Sequence, residues 1–310
     1  MFAVMISLRR TLPLLLAVCI AFGAGPASAG GATRPIVVEL YTSQGCSSCP
    51  PADALLGRLA QRPGVIAITL PITYWDMLGW KDTLATETNT RRQKSYATAM
   101  GHGGVYTPQI VIDGVQDVVG SRAANVEAAI AQRRAMISNA WAVAMARADA
   151  VRAVADAVRA ESAGQTVTAD MPAAMAPVAS VTPVAPPQPP HGAEPFVPVA
   201  LSESPQEMHV ELGAAPGAHN ATVWMFHLRS AVAVNIPAGE NEGHTITYHN
   251  VVGDLKAIGV YKGRALTLTL PRAAMTGMPH DGVAVIVQED GYGHIVGAAY
   301  VSRPDFYAQQ

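Results

Sequence analysis

The chain has 310 residues, of which 50% are hydrophobic and 14% charged, enough apolar material for more than one small domain. Lys and Arg number 21 against 23 Asp and Glu, and a net charge of −2 offers no basic field for a phosphate backbone, so nucleic acid is not an expected partner. Three cysteines are too few for a disulfide-rich scaffold, and their positions carry the information: Cys19 stands alone, whereas Cys46 and Cys49 form a C-x-x-C.

Arg9 and Arg10 precede an apolar run from Leu12 to Phe22, and Ala27-Ser28-Ala29 supplies a small-residue cleavage pattern. Residues 1–29 therefore read as a secretory signal peptide. The protein is expected to be exported, periplasmic or secreted, with no membrane span once the signal is cleaved. Cys19 leaves with the signal, and in an oxidising compartment the two remaining cysteines either pair or work by exchange.

Pro35 to Tyr41 is a β-branched run that leads straight into the cysteine turn. After Cys49, Ala52, Leu55, Leu56 and Leu59 recur at helical spacing, with Pro50 suited to a first turn, and the helix is expected to stop near Arg62-Pro63-Gly64. Val65 to Leu70 reads as a second strand and Thr83 to Met100 as a polar helix. Ile110 to Ile112 then forms an apolar strand behind Pro108, ending at Asp113-Gly114 before Val115 to Val119. Ser121 is the expected cap of an alanine-rich helix running to about Ala160.

Ten prolines between Met171 and Pro205 mark a semi-extended linker. Beyond Gln206 come short alternating runs: Met208 to Leu212, Thr222 to Leu228, Ala231 to Asn235, His244 to Val252, Ala257 to Tyr261, Ala265 to Leu270, Val283 to Gln288 and His294 to Val301. Their spacing suits an antiparallel sandwich. The expected organisation is a signal peptide at 1–29, an α/β domain with a long C-terminal helix at 33–162, a Pro/Ala-rich linker at 163–205 and an all-β domain at 206–304.

A C-x-x-C between a strand and a helix sits where free N–H groups and the helix dipole stabilise a thiolate. Cys46, expected on an exposed part of the turn, is the candidate attacking thiol, and Cys49, inside the helix, the candidate resolving one. Two alternatives stand beside exchange: an inert local disulfide that fixes the turn, and soft-metal binding by both thiolates with Met100 or His102. Glu39 either lies beneath the cysteines and exchanges protons with the resolving thiol, or belongs to a solvated face. Asp53, Tyr74, Trp75, Asp76 and Trp80 are candidates to line the same cleft or to pack as core and rim.

The run Val38 to Asp53, with Tyr74-Trp75-Asp76 and Thr107-Pro108-Gln109, is similar to the exported bacterial thioredoxin-like family catalogued as domain of unknown function number twelve twenty-three. The similarity extends to Gly239-Glu240-Asn241-Glu242-Gly243, Tyr248-His249-Asn250-Val251-Val252 and Gly293 to Ala299, leaving the proline-rich linker as an addition. The resemblance implies an α/β thioredoxin-like domain plus an all-β, antiparallel sandwich-like C-terminal domain. It implies no agreed reaction. Its cysteine motif carries over to Cys46, Cys49 and Pro108, the proline suiting a loop that faces the disulfide and presents backbone to a substrate. Ser47-Ser48 departs from the dipeptides of thioredoxins and glutaredoxins, which leaves reductase against oxidase open.

Seven of the nine histidines fall after residue 206, and they read as scattered surface residues more readily than as a metal site. Glu240-Asn241-Glu242-Gly243 reads as a turn, or as carboxylates facing the cysteines. Together these residues predict an exported thiol–disulfide oxidoreductase acting on protein thiols or disulfides, with no cofactor and no metal. The alternatives are a non-enzymatic thioredoxin-like binding protein with a structural disulfide and a copper-handling protein.

Overall fold

The computed structural model describes residues 34–139, 150, 153–154, 195–204, 206–271 and 280–302, all within one compact unit, Thr33–Gln310. The expected signal peptide and the 163–194 part of the expected linker lie outside the described residues. So does most of the expected helix between 140 and 160. No helix among the described residues is long and apolar enough to cross a membrane.

Strand β1 (Ile36–Thr42) runs into the cysteine turn and helix α1 (Pro50–Ala60), then strand β2 (Val65–Pro71). A short 3-10 turn at Asp76–Leu78 precedes helix α2 (Glu87–Ala99), whose cap Thr86 accepts a hydrogen bond from the Asn89 N–H. Strands β3 (Gln109–Ile112) and β4 (Gln116–Val119) form the hairpin expected around Asp113-Gly114. Helix α3 covers 123–139, and the Arg122 carbonyl rather than a Ser121 cap receives its first bonds, from the N–H groups of Asn125 and Val126.

Seven further strands follow: β5 (Val199–Glu203), β6 (Glu207–Leu212), β7 (Ala221–Asn235), β8 (Thr245–Tyr261), β9 (Leu266–Pro271), β10 (Gly282–Glu289) and β11 (Ile295–Ser302). β7 and β8 each merge two of the runs expected from sequence. Arg229-Ser230 looks like a break but continues the ladder, which absorbs register shifts at Val223/Trp224 and His227/Leu228. β5 lies in the stretch expected to be linker, where it pairs with β6.

The strand order is β11-β10-β7-β8-β2-β1-β3-β4 in one mixed eight-stranded sheet, with β5-β6-β9 as a separate three-stranded sheet. This corrects the expected fold, an α/β thioredoxin-like domain plus a separate all-β sandwich-like domain. The molecule is mostly β, and strands from both expected domains belong to the same sheet. The join has a physical cause. All seven residues of β2 are buried, so neither its faces nor its second edge can be left to solvent. β8 covers that edge: Thr69 pairs in parallel with Val251, the Thr69 hydroxyl donates to the His249 carbonyl at 2.6 Å, and the Asn250 amide donates to the Ala67 carbonyl at 2.8 Å.

The cores follow from the alternation along β1. Ile36, Val38 and Leu40 face α1 and α3, meeting Leu55, Leu56, Leu59, Val126 and Ile130. Val37 and Tyr41 face α2 and share one apolar cluster with Tyr96, Phe226, Leu228, Ile286 and Ala298. Residues from both ends of the chain thus fill a single core. The three-stranded sheet closes the far end through Met208, Val210 and Leu212 against Val223, Met225 and Val285.

Glu39 is the one charge on the α2 face of β1, and it is neither solvated nor free. Arg92 on α2 donates through Nε to Glu39 Oε1 at 2.6 Å and through Nη2 to Oε2 at 3.2 Å, with both side chains 1% exposed. Tyr96 donates to the same carboxylate, and the Gln288 side-chain oxygen on β10 accepts from Arg92 Nη2 at 3.0 Å. The guanidinium carbon lies 5.1 to 5.6 Å from the rings of Tyr96, Trp224, Phe226 and Tyr292. Arg92→Met leaves the Glu39 carboxylate buried without its cation and is expected to cost about 3–5 kcal/mol of unfolding free energy. Denaturant unfolding checks this, with the Glu39→Gln/Arg92→Met double variant losing less than the single one.

Candidate functional site

The cysteine turn is built from local hydrogen bonds. Ser43 accepts from the Gly45 N–H on its hydroxyl and from the Cys46 N–H on its carbonyl, and the Cys46 carbonyl accepts from the Cys49 N–H. Cys46 and Cys49 are joined as a disulfide, with Cα atoms 5.4 Å apart. Cys49 is the N-cap of α1, its carbonyl accepting from the Ala52 and Asp53 N–H groups, and no side chain caps the helix. Pro50 and Pro51 bring no N–H to that first turn, so what it turns toward the cysteines is the positive end of the helix dipole and not free donors.

Two other segments meet this turn. A Cβ on Gly45 would lie 3.3 Å from both Cβ and O of Trp75, so only glycine lets the indole-bearing segment this close. Trp75 Nε1 donates to the Thr107 hydroxyl at 2.7 Å, which ties the segment to the cis Thr107–Pro108 peptide. Gly120 receives Pro108 and Ala52 together: a Cβ there would sit 3.2 and 3.1 Å from theirs. The loop before β3 that carries Pro108 is thus tied to the Trp75 segment and packs, through Gly120, close to Ala52 in the first turn of α1. Of the residues expected in the cleft, Trp75 bridges the two loops. Trp80 donates to Gln44 Oε1 at 2.7 Å, and Asp76 accepts from the Asp82 N–H at 3.0 Å. Tyr74 packs against the α2-side core.

Sequence reasoning missed Asp82, and named Gln44 only within a matched run and Asn241 only as part of a turn. Asp82 is 3% exposed and accepts from the backbone N–H groups of Gln44, Leu84 and Ala85, fixing the floor of the turn. Asn241, at the tip of the β7–β8 hairpin, donates to the carbonyls of Gln44 at 2.9 Å and Cys46 at 3.0 Å. Its neighbour Glu240 accepts from the Ser47 N–H at 3.1 Å, and the hydrogen bonds from Ser47 hold this carboxyl below its ordinary range. Both readings of the Glu240–Gly243 segment therefore apply, since it turns, with the Glu242 N–H on the Gly239 carbonyl, and it faces the cysteines.

Two expectations change. Cys46 is 1% exposed and Cys49 0%, so the attacking thiol is not on an exposed part of the turn; only Ser47 and Ser48 between them are open to solvent. Glu39 does not lie beneath the pair, because it points to the α2 face of β1 while α1 packs on the other. Met100 packs at the edge of the α2-side core, and His102 Nε2 lies 2.9 Å from Asp117 Oδ1. Among the described residues, no group of three or more His, Cys, Asp or Glu is placed to hold a metal ion. Of the histidines, His227 is not a surface residue: it is 5% exposed and stacks on His280 at 4.6 Å. Burial, with His280 adding to it against the pull of Asp254, lowers its pKa to about 4.

A second buried carboxyl, Asp53, lies in the first turn of α1, four residues after Cys49. It is 2% exposed, and the Thr42 hydroxyl is the hydrogen-bonding group that faces it. Burial pushes its pKa from 3.8 up to about 8, against the opposing Thr42 hydroxyl and with Asp82 adding to the rise. The folded state therefore holds a proton that the unfolded chain releases. Unfolding free energy is expected to fall as pH rises from about 4 to about 8. Asp53→Asn should flatten that slope, as checked by urea unfolding across the window.

Comparison with known proteins places this arrangement. No curated protein matches the chain. A crystal structure of protein AGR_C_4864 from Agrobacterium tumefaciens is similar over 86% of this chain and 93% of its own, with 27% identity and a TM-score of 0.59. The structure of HBP35 of Porphyromonas gingivalis aligns over 87% of this chain and 76% of its own, at 10% identity and a TM-score of 0.46. A family model described as "Protein of unknown function (DUF1223)" matches residues 37–186 and 187–288. The chain, matched from β1, the strand before the cysteine turn, into β10, belongs to that family.

Proposed function

We propose that the protein is an exported thiol–disulfide oxidoreductase working on protein thiols or disulfides through Cys46 and Cys49. The observation that carries this is the disulfide at the uncapped N-terminus of α1, where Cys49 is itself the cap residue. In the reducing half-reaction, a substrate thiolate attacks Cys46 Sγ, the old S–S bond breaks, and its electron pair leaves on Cys49 Sγ. That thiolate forms at the positive end of the helix dipole, which lowers its basicity and makes it a better leaving group. A second substrate thiol then releases Cys46. Pro108, beside Ala52, supports the loop along which an extended substrate segment would lie.

Both sulfurs are covered, so exchange on this reading requires the Gly239–Gly243 loop to lift from the turn. Asn241 and Glu240 hold it by three hydrogen bonds to the backbone of Gln44, Cys46 and Ser47. The same coverage favours a second reading, in which the disulfide is an inert brace and the protein acts by binding. The redox potential separates the two. An exchanger equilibrates with dithiols between about −120 and −270 mV, whereas a brace stays oxidised to below about −300 mV.

Asn241→Ala removes two of the three bonds and is expected to speed reduction by dithiothreitol about tenfold, about 1.4 kcal/mol at the ordinary worth of such bonds. Stopped-flow Trp fluorescence reads this, since Trp75 and Trp80 flank the turn. An unchanged rate removes the loop from the mechanism. Cys46→Ser that lowers only the melting temperature, in a protein with no exchange at any of these potentials, establishes the brace.

A further inference from the structure

A polar cleft of about 520 Å³ opens between α2 and the segment that carries Trp75, a size suited to a side chain or a short stretch of peptide. Its two walls are pinned to each other. The Thr90 hydroxyl accepts from the Thr73 N–H at 3.0 Å, and the Thr73 hydroxyl donates to Glu87 Oε1. On α2, Glu87, Thr90 and Lys94 follow one another at spacings of three and four and so share one face, and the facing loop brings Asp76 and Lys81. The charges of the cleft balance, but its hydrogen-bonding capacity does not. Asp76 Oδ1 is taken by the Asp82 N–H at 3.0 Å and Glu87 Oε1 by Thr73. The ammonium groups of Lys81 and Lys94, three donors each, have no partner among the described residues. The unspent capacity is on the donor side, and a carboxylate is the group that two ammoniums complement. Asp76 and Glu87 limit the occupant to one acidic group, since a polyanion would meet their charge.

The cleft is also within reach of the cysteines. Trp75, between two of the residues that line it, comes so close to Gly45 that a Cβ there would lie 3.3 Å from its own. Gly45 precedes Cys46 and Asp76 follows Trp75, so the Cα atoms of Cys46 and Asp76 are no more than about 14 Å apart, a span of about four residues of extended chain. Resting on the exchange reading above for what that chain does, we propose that the cleft holds an acidic side chain of the substrate polypeptide, its carboxylate on Lys81 and Lys94. The protein thereby selects partners with an Asp or Glu about four residues from the reacting cysteine. No bond is made or broken in the cleft; it positions the segment while exchange proceeds at the sulfurs. With a net charge of −2, the molecule as a whole does not draw acidic segments in, and the selection depends on these two lysines.

The test uses cysteine peptides that have either Glu or Gln about four residues to each side of the cysteine. The rate at which each peptide, in excess, reduces the full chain is read by Trp fluorescence. Taking the Glu-to-Gln rate ratio for each protein removes changes in the disulfide itself, and comparing proteins removes the peptides' own reactivity. The ratio is expected to be about fivefold higher in the wild type than in Lys81→Gln/Lys94→Gln, the worth of two exposed ion pairs, and this difference is expected to vanish in about 1 M salt. Lys262→Gln, which removes an exposed charge elsewhere, is expected to keep the wild-type ratio. An equal ratio in the wild type and the double variant, or an equal loss in Lys262→Gln, overturns the assignment while exchange stands. Titration calorimetry with the same peptides carrying serine for cysteine makes the test independent of exchange. A wild type inert to dithiols that still binds the Glu peptide more tightly than the double variant does overturns the exchange reading alone. An inert wild type with no such preference overturns both.

Discussion

The architecture hangs on a buried ion pair. Glu39 sits at the middle of a strand whose every other residue is apolar or small, and the sheet closes over it only because Arg92 arrives from α2 to neutralise it. A guanidinium presents more donors than one carboxylate can take, so Arg92 recruits Gln288 from β10 and aromatic rings from β7 and the β10–β11 turn. One interaction thereby gathers elements from both ends of the chain around a single point. Apolar packing alone would hold these layers together without fixing their register; the fork of Arg92 selects one arrangement.

That convergence explains what the sequence could and could not disclose. Local patterns located β1, α1, β2, the β3–β4 hairpin and most of the later strands to within a few residues, since alternation and turn residues are set by neighbours. The joining of two expected domains into one sheet was not legible, because it depends on which strand edge meets β2. A hint was present in Val65 to Pro71, a run with no polar face, which is how a strand covered on both sides reads. The proline-rich composition before residue 206 concealed β5, whose alternating pattern makes sense only against β6.

The candidate site divides in the same way. The pairing of Cys46 with Cys49 was visible as one of the sequence's options because a C-x-x-C holds two thiols at a spacing that can bond. The roles of Gln44, Asp82 and Asn241 were not, because amides and carboxylates that satisfy backbone groups have no characteristic spacing and are recognised only by what they touch. Glu39 does not take the place beneath the cysteines that one reading gave it, and Asp53, expected to line the cleft or pack at its rim, is buried in the first turn of α1. Each is a buried acid near the turn by sequence distance, and the side of β1 on which each lies decides that one is neutralised by arginine and the other left with its proton.

The hydrogen bonds that make the cysteine turn span three residues or fewer, whereas the loop that covers it arrives from 195 positions away. During synthesis the turn therefore takes shape while its cover does not yet exist. The sulfurs are open to whatever oxidises them in the nascent chain and become shielded only when the β7–β8 hairpin docks. The order in which the chain is made thus decides when the pair first loses contact with solvent.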